Sequence, residues 1–306
     1  PKRLPSHLIY DDRGSELFQA IMGLPEYYPT RTEEQILRDN ASQILKSLDG
    51  RPFNLVDLGA GDGKKTMILL EEARRMKADF RFVPIDISKG AMQGLVTKIA
   101  DIYPDIPMQG IVAEYTAGVR WLAQHSRERS NLVLFLGSNI GNFGRANARG
   151  FLSRLWAAMH VNDRILIGFD LKKDIDRLLS AYNDSQGVTA EFNLNLLDRL
   201  NRELDADFDR NRWRHYGTYN VFSGAMESYL VSMEHQTVHI DRLERLFTFE
   251  AWEPIHTEYS YKYLTSDIDS LSTDSGFRME NRFLDDRGWF SDDLWAPIKK
   301  PDEPSF

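Results

Sequence analysis

Three glycines, Gly59, Gly61 and Gly63, alternate in the stretch NLVDLGAGDGKKT, residues 54–66, and the acidic Asp86 follows about 25 residues later. Positions with no side chain let a ligand approach the main chain, and the helix start beyond them offers unpaired N–H groups. A carboxylate at the end of the next strand can accept hydrogen bonds from ribose hydroxyls. The same Asp86 could instead cap the following helix, a task Ser88 can share. Spacing separates the nucleotide sites that begin this way. A dinucleotide fingerprint, G-x-G-x-x-G, needs its third glycine where Lys64 stands. A phosphate-cradling G-x-x-x-x-G-K-[ST] loop needs glycine where Leu58 stands and a hydroxyl where Lys65 stands.

A second group of polar residues lies in HTEYSYKY, residues 256–263. As a strand it puts Thr257, Tyr259, Tyr261 and Tyr263 on one face and Glu258, Ser260 and Lys262 on the other. The tyrosine face reads as packing. Glu258 and Ser260, ~6.5–7 Å apart, are spaced to hold two edges of a small polar ring with an N–H donor, such as imidazole. On spacing alone the plainer reading is a solvated edge strand. In GSNIGNF, residues 137–143, Asn139 or Asn142 could aim a carboxamide at a ligand, or both could serve turn chemistry. The seven histidines show no H-E-x-x-H or other ligand spacing, and none is read as a metal site. With no cysteine there is no thiolate nucleophile, disulfide or cysteine-ligated metal.

The elements that must carry these residues follow from hydrophobic pattern. The glycine turn joins an apolar strand to a helix containing Met67, Ile68, Leu69 and Leu70. Strands are expected at FRFVPID (80–86), near Gly110–Ala113, at NLVLFLG (131–137) and at RILIGFD (164–170), with helices from Lys89 and over Arg145–Met159. Such alternation predicts a parallel, doubly wound sheet. Ligands of these sheets bind beyond the strand C-terminal ends, where Gly59, Asp86, Glu114 and Asn142 would lie. A helix is expected from Thr32, with Thr30 or Thr32 as its cap. After Asp170 the pattern changes to two helices, Lys173–Tyr182 and Val188–Leu204, and from Met226 to β texture. Residues 1–31 are rich in tyrosine and turn residues, cannot build a core alone, and must dock on another part of the chain. The last ~30 residues, which include Trp289 and Trp295, are expected to pack, and the terminal KKPDEPSF, 299–306, to fray.

The 306 residues carry a net charge of −8, which argues against nonspecific nucleic-acid binding. No apolar run approaches the ~20 residues of a membrane span, and the first residues lack a signal-peptide core. A cytoplasmic protein is expected.

The pattern hhDhGxGxG at 55–63 fits the first motif of class I methyltransferases that use S-adenosylmethionine. Beyond it, YDDRGSELF (10–18), LPEYYPTR (24–31), VDLGAGDGKKT (56–66), GSNIGN (137–142), AYNDSQGVTAEFNLN (181–195), NRELDADFD (201–209) and TEYSYK (257–262) make the chain resemble the histidine Nα-methyltransferases of ergothioneine biosynthesis along nearly its whole length. The resemblance implies an α/β class I methyltransferase domain, a Rossmann-like doubly wound sheet, at 32–171 plus 262–306. It also implies a second, α+β substrate-binding domain at 1–31 plus 172–261. The implied reaction transfers three methyl groups from S-adenosylmethionine to the α-amine of L-histidine, giving hercynine, with no metal and in a monomer. Position by position, Gly59, Gly61, Lys65, Asp86, Glu114 and Tyr115 are implied to contact the cofactor. Asn142 and Tyr182 are implied to hold the substrate carboxylate, and the catalytic Tyr10 to face the amine. Phe18 and Thr189 are implied to line the pocket, and Tyr27, Glu258 and Ser260 to hold the imidazole. Glu114 stands where the family pattern has Asp, and Met226–Tyr229 departs most from it. Two other readings stay open: a methyltransferase of this fold acting on tryptophan or a histidine derivative, and a noncatalytic S-adenosylmethionine-binding module.

Overall fold

A computed structural model describes residues 1–125 and 129–300, so the last six residues of the expected frayed end lie outside the described residues. The first part of the chain supplies strand β1 (Lys2–Arg3) and helix α1 (Asp12–Met22), followed by α2 (Tyr28–Lys46). Strands and helices then alternate through β2 (Phe53–Leu58), α3 (Lys64–Arg75), β3 (Phe80–Asp86), α4 (Lys89–Ile102), β4 (Ile111–Val112) and α5 (Tyr115–His125). The series ends with β5 (Ser130–Phe135), α6 (Arg145–Ala158) and β6 (Arg164–Asp170). Next come α7 (Ile175–Tyr182), α8 (Val188–Leu204), β7 (Trp213–Asn220), β8 (Ala225–Ser232), β9 (Gln236–Ile240), β10 (Arg245–Phe249) and β11 (Pro254–Tyr261). Helix α9 (Thr265–Asp274) and strands β12 (Phe277–Leu284) and β13 (Phe290–Pro297) complete the described chain. These elements form two units, Pro1–Tyr28 with Lys173–Tyr261, and Pro29–Lys172 with the chain from Lys262 onward. The seams fall at 28/29, 172/173 and 261/262, against expected positions of 31/32, 171/172 and 261/262.

The second unit is built on a seven-stranded sheet of order β12-β13-β6-β5-β2-β3-β4. The pairings from β6 through β5, β2 and β3 to β4 are parallel, while β13 runs antiparallel to both β6 and β12. Strands β2, β5 and β13 are buried along their whole length. Helices covering both faces explain why β2 and β5 read as apolar runs rather than as alternation. Leu55, Leu69, Phe82, Leu132, Leu166 and Leu294 share one core. The doubly wound sheet is therefore present, with the correction that one of its interior strands is antiparallel. That strand escaped the hydrophobic pattern because its first half holds Ser291-Asp292-Asp293, all fully buried. Arg282 of the neighbouring β12 neutralises Asp293 at 2.7 Å, so a charged residue can occupy a sheet interior. The helix expected from Thr32 begins at Tyr28, since Pro29 in a first turn loses no needed N–H bond.

In the first unit a four-stranded sheet, order β1-β11-β8-β7, is packed by α7 and α8, with α1 against α8. Leu197, Phe208, Trp213, Leu230 and Ile255 share its core. Strand β7 precedes the expected β region and alternates inward Trp213, His215 and Gly217 with outward Arg214 and Tyr216. Strands β9 and β10 form a separate hairpin. The solvated-edge reading of HTEYSYKY is overturned: β11 pairs with β8 along its length and with β1 at Ile255 and His256, and Glu258 and Ser260 are buried. A bulge between His256 and Glu258 shifts the register, and Thr257 there donates to Asn193 of α8 at 2.9 Å. No helix among the described residues is long and apolar enough to cross a membrane.

Gly63, at φ +70°, ends the glycine turn in the left-handed region immediately before α3. A Cβ there would stand 2.2 Å from Leu95 Cδ1. Gly63→Ala should therefore lower the unfolding free energy by about 1–3 kcal/mol, from left-handed strain and overpacking together. Urea denaturation checks this, and adding Leu95→Ala should relieve the clash while leaving the backbone strain.

Candidate functional site

The C-terminal ends of β2, β3 and β5 bring the glycine turn, Asp86 and the Gly137–Asn142 loop to one end of the second unit's sheet. The Gly59 N–H donates to the Ile85 carbonyl at 2.8 Å. The Gly61 and Ser88 N–H groups donate to the two Asp86 oxygens, each at 2.9 Å. Ser88 itself caps α4 through its hydroxyl, so Asp86 is not that helix's cap. It is a half-buried carboxylate held by main chain, with lone pairs to spare. Gly61 has open space where a Cβ would project, and at Gly59 that position lies 3.0 Å from Asn139 Nδ2 and 3.1 Å from the Tyr115 hydroxyl. Tyr115 stacks edge-on against Phe135 at 5.1 Å. Glu114 is exposed just before α5, and Asn142 ends the short 3-10 turn Asn139–Asn142. Lys65 Nζ sits 2.7 Å from Glu33 Oε2.

Beneath this turn Asp57 is 3% exposed and accepts the Thr66 hydroxyl. Burial pushes its carboxyl up to about 7, against the pull of the Thr66 bond and the Lys65 charge.

In the first unit an aromatic cluster surrounds the two polar residues of β11. Tyr10 packs edge-on against Phe18 and Phe192 at 5.6 and 5.4 Å, Phe18 against Tyr27 at 6.1 Å, and Tyr27 against Tyr182 at 6.5 Å. The Tyr10 hydroxyl lies 3.4 Å from Glu258 Oε1, and the Tyr182 hydroxyl donates to Ser260 Oγ at 2.7 Å. Register places Ser228 opposite Glu258 and Met226 opposite Ser260, so these buried β8 residues share the same face.

The long sequence motifs hold these side chains in place. Asp11 takes the Gly14 N–H at the start of α1 and the Asn195 amide of α8. Burial opposes its charge, but those bonds and Arg202 prevail and keep its carboxyl below the usual range. Asp184 accepts the Val188 and Thr189 N–H groups at the start of α8. Asn183 exchanges two hydrogen bonds with Gly217, and His215 Nε2 meets the Tyr182 carbonyl at 3.1 Å. Burial lowers the pKa of His215, so the neutral ring donates to that carbonyl.

The family model described as histidine-specific methyltransferase, SAM-dependent, matches residues 1–297. The chain belongs to this family. A histidine N-alpha-methyltransferase of Mycolicibacterium smegmatis is 37% identical over 95% of this chain and 89% of that protein. Ergothioneine biosynthesis protein 1 of Neurospora crassa is 33% identical over 72% of this chain and 25% of that larger protein. The 4-dimethylallyltryptophan N-methyltransferase easF of Claviceps fusiformis is 26% identical over 92% of this chain and 84% of that protein.

The cofactor of this methyltransferase is S-adenosylmethionine, and its second unit is the α/β fold of class I methyltransferases. The residues present fit the cofactor: Asp86 keeps acceptor capacity at a strand end, and Gly61 leaves its approach open. Among the expected residues, Gly59, Gly61, Asp86, Tyr115 and Lys65 lie around the glycine turn, with Glu114 beside them. Tyr10, Phe18, Tyr27, Tyr182, Glu258 and Ser260 form one cluster in the first unit. Thr189 is buried in the first turn of α8, the helix that carries Phe192. The hydroxyls of Tyr10 and Tyr182, expected toward the amine and carboxylate, lie on Glu258 and Ser260. Phe192 and Glu33 adjoin the expected residues without belonging to the expected set, while Asn139, weighed with Asn142 from the sequence, lies beside Gly59. Phe192 sits on an apolar helix face and so read as core. Glu33 falls on the same stripe as Ile36, Leu37 and Ile44, and a carboxylate on an apolar stripe was the available signal.

Asp57 gives the pH test of this site. Its folded pKa of about 7 lies above the ordinary 3.8, so the native state binds the extra proton. The resulting stability is present at low pH and is lost as pH rises through 7. Asp57→Asn cannot ionise. Between pH 5 and pH 8, wild type should therefore lose about 2–3 kcal/mol relative to the variant, read from urea titrations of both at each pH.

Proposed function

We propose that this chain methylates the α-amine of L-histidine three times, giving hercynine for ergothioneine biosynthesis, as a cytoplasmic monomer. The observation that carries the histidine assignment is the buried Glu258–Ser260 pair within the aromatic cluster of the first unit. A neutral imidazole has one N–H donor and one acceptor nitrogen. The Glu258 carboxylate can only accept, and takes the N–H. Ser260 Oγ accepts the Tyr182 hydroxyl, and a serine hydroxyl is the kind of donor that suits the ring's other nitrogen. Tyr27, Phe18 and Phe192 wall the ring.

Bound S-adenosylmethionine supplies an electrophilic methyl carbon that passes to the amine nitrogen as the bond to sulfur breaks, leaving S-adenosylhomocysteine. We assign Asp86 to the cofactor's ribose, Gly59 and Gly61 to close main-chain approach, and Lys65, Glu114 and Tyr115 to further cofactor contacts. Asn142 is assigned to the substrate carboxylate through its amide donors. Tyr10 orients the amine, which must be neutral to attack, and helps its proton reach water. Most of the rate would come from holding the two reactants in line. The enzyme reading is favoured over a binding-only module by the family assignment.

Repeated transfer to one nitrogen follows from what holds the substrate. Each methyl added removes an N–H donor, so a site that clamped every donor would stall after the first. Tyr10 and the neutral Asn142 bring no carboxylate to the amine, while ring and carboxylate anchor the molecule. Histidine with excess cofactor should end as the trimethylated product by mass spectrometry. Stable monomethylhistidine as the end point would overturn repeated transfer and leave methyl transfer standing.

Glu258 should also set selectivity, because a site built to bond a substrate N–H leaves its own groups unpaired with any analogue lacking it. Glu258→Ala should reduce histidine turnover and relax discrimination against tryptophan in a competition assay. Unchanged preference would place ring recognition elsewhere.

A further inference from the structure

We propose that Glu33 is a positioning residue for methyl transfer, clamping the Lys65 ammonium and the Gly137 amide with one carboxylate. The inference rests on the assignment of Lys65 to the cofactor. Glu33 lies on α2, Lys65 in the first turn of α3, and Gly137 opens the loop that carries Asn139 and Asn142. The Glu33 side chain is 1% exposed and the Lys65 side chain 19%. Its Oε2 meets Lys65 Nζ at 2.7 Å, and the Gly137 N–H donates to both carboxylate oxygens, at 2.7 and 2.9 Å.

The surroundings make room for that carboxylate. A Cβ on Gly168 of β6 would stand 2.2 Å from Glu33 Oε1, and one on Gly137 3.0 Å from Lys65 Nζ. A second acid, Asp292 of β13, is fully buried beside Glu33. Burial and the Glu33 charge push its carboxyl well above the ordinary range. The Lys65–Glu33 ion pair joins α3 to α2.

A buried ion pair is weak grounds for a stabilising role, because apolar residues of equal volume often do as well. What the pair supplies is direction. Lysine ends a flexible four-carbon stem with three donors. Fixing one donor on Glu33 aims the other two, and the same carboxylate holds the start of the asparagine loop in register with them.

The test uses the full chain with two readouts: calorimetric binding of S-adenosylhomocysteine without histidine, and steady-state kinetics. Glu33→Gln keeps an acceptor and loses the charge. It should weaken S-adenosylhomocysteine binding and raise the cofactor KM by about tenfold or more, the loss of one charge-assisted bond, with a smaller fall in kcat. Lys65→Met should do the same, and the double variant should be no worse than either single one, because both remove one clamp. A folded Glu33→Gln protein with wild-type affinity, or losses that multiply in the double variant, would overturn the clamp. If Glu33→Gln fails to fold, Glu33→Asp serves instead. Its charge is kept but set back by one methylene, and wild-type affinity in that protein would equally overturn the proposal. A protein that binds S-adenosylhomocysteine through this clamp and methylates no histidine would sink the proposed reaction alone.

Discussion

A carboxylate shut away from water must find its counter-charge and donors inside the protein, and Glu33 finds them at Lys65 and Gly137. Much of the second unit's working end depends on meeting that demand. Helix α2 must deliver the acid from its apolar stripe, and α3 must begin where Lys65 can reach it. Strand β6 must present a glycine beside it. The glycine turn, whose Gly61 N–H holds Asp86, leads directly into the helix that carries Lys65. The geometry offered to a cofactor is therefore inherited from contacts below the surface that meets it.

The first unit meets a comparable demand differently. Glu258 and Ser260 stand on an interior strand, where unpaired polar groups would be costly. Tyr10 and Tyr182 reach them across the aromatic cluster, and neither brings a formal charge. The result is a buried polar pair bounded by rings. Such a site gains selectivity from what it would leave unpaired rather than from shape alone. The register opposite it, Ser228 and Met226, offers small and apolar neighbours on the same face.

Much of what makes the motifs long is support rather than contact. Asp11 joins α1 to α8, Asp184 starts α8, and Asn183 with His215 fixes the main chain at Tyr182. Each is an acid, amide or imidazole bonded to backbone or to a second helix. Their identities follow from the backbone groups they satisfy, while the side chains they hold face the cluster.

By itself the sequence determined the alternation from β2 to β6, because strands covered on both faces by helices read as apolar runs bounded by turns. It determined the glycine turn and Asp86, because close main-chain approach and a strand-end acceptor leave a local spacing. Its long motifs determined the family. Tertiary structure alone decided which polar residues are buried. Asp293 makes an interior strand of SDDLW because Arg282 lies across the sheet. Glu33 leaves the solvent because Lys65, 32 residues away, receives it. Glu258 exchanges a solvated edge for an aromatic cluster because Tyr10, 248 residues distant, reaches it. Burial of a polar group depends on partners far along the chain, and no local pattern encodes where those partners will be.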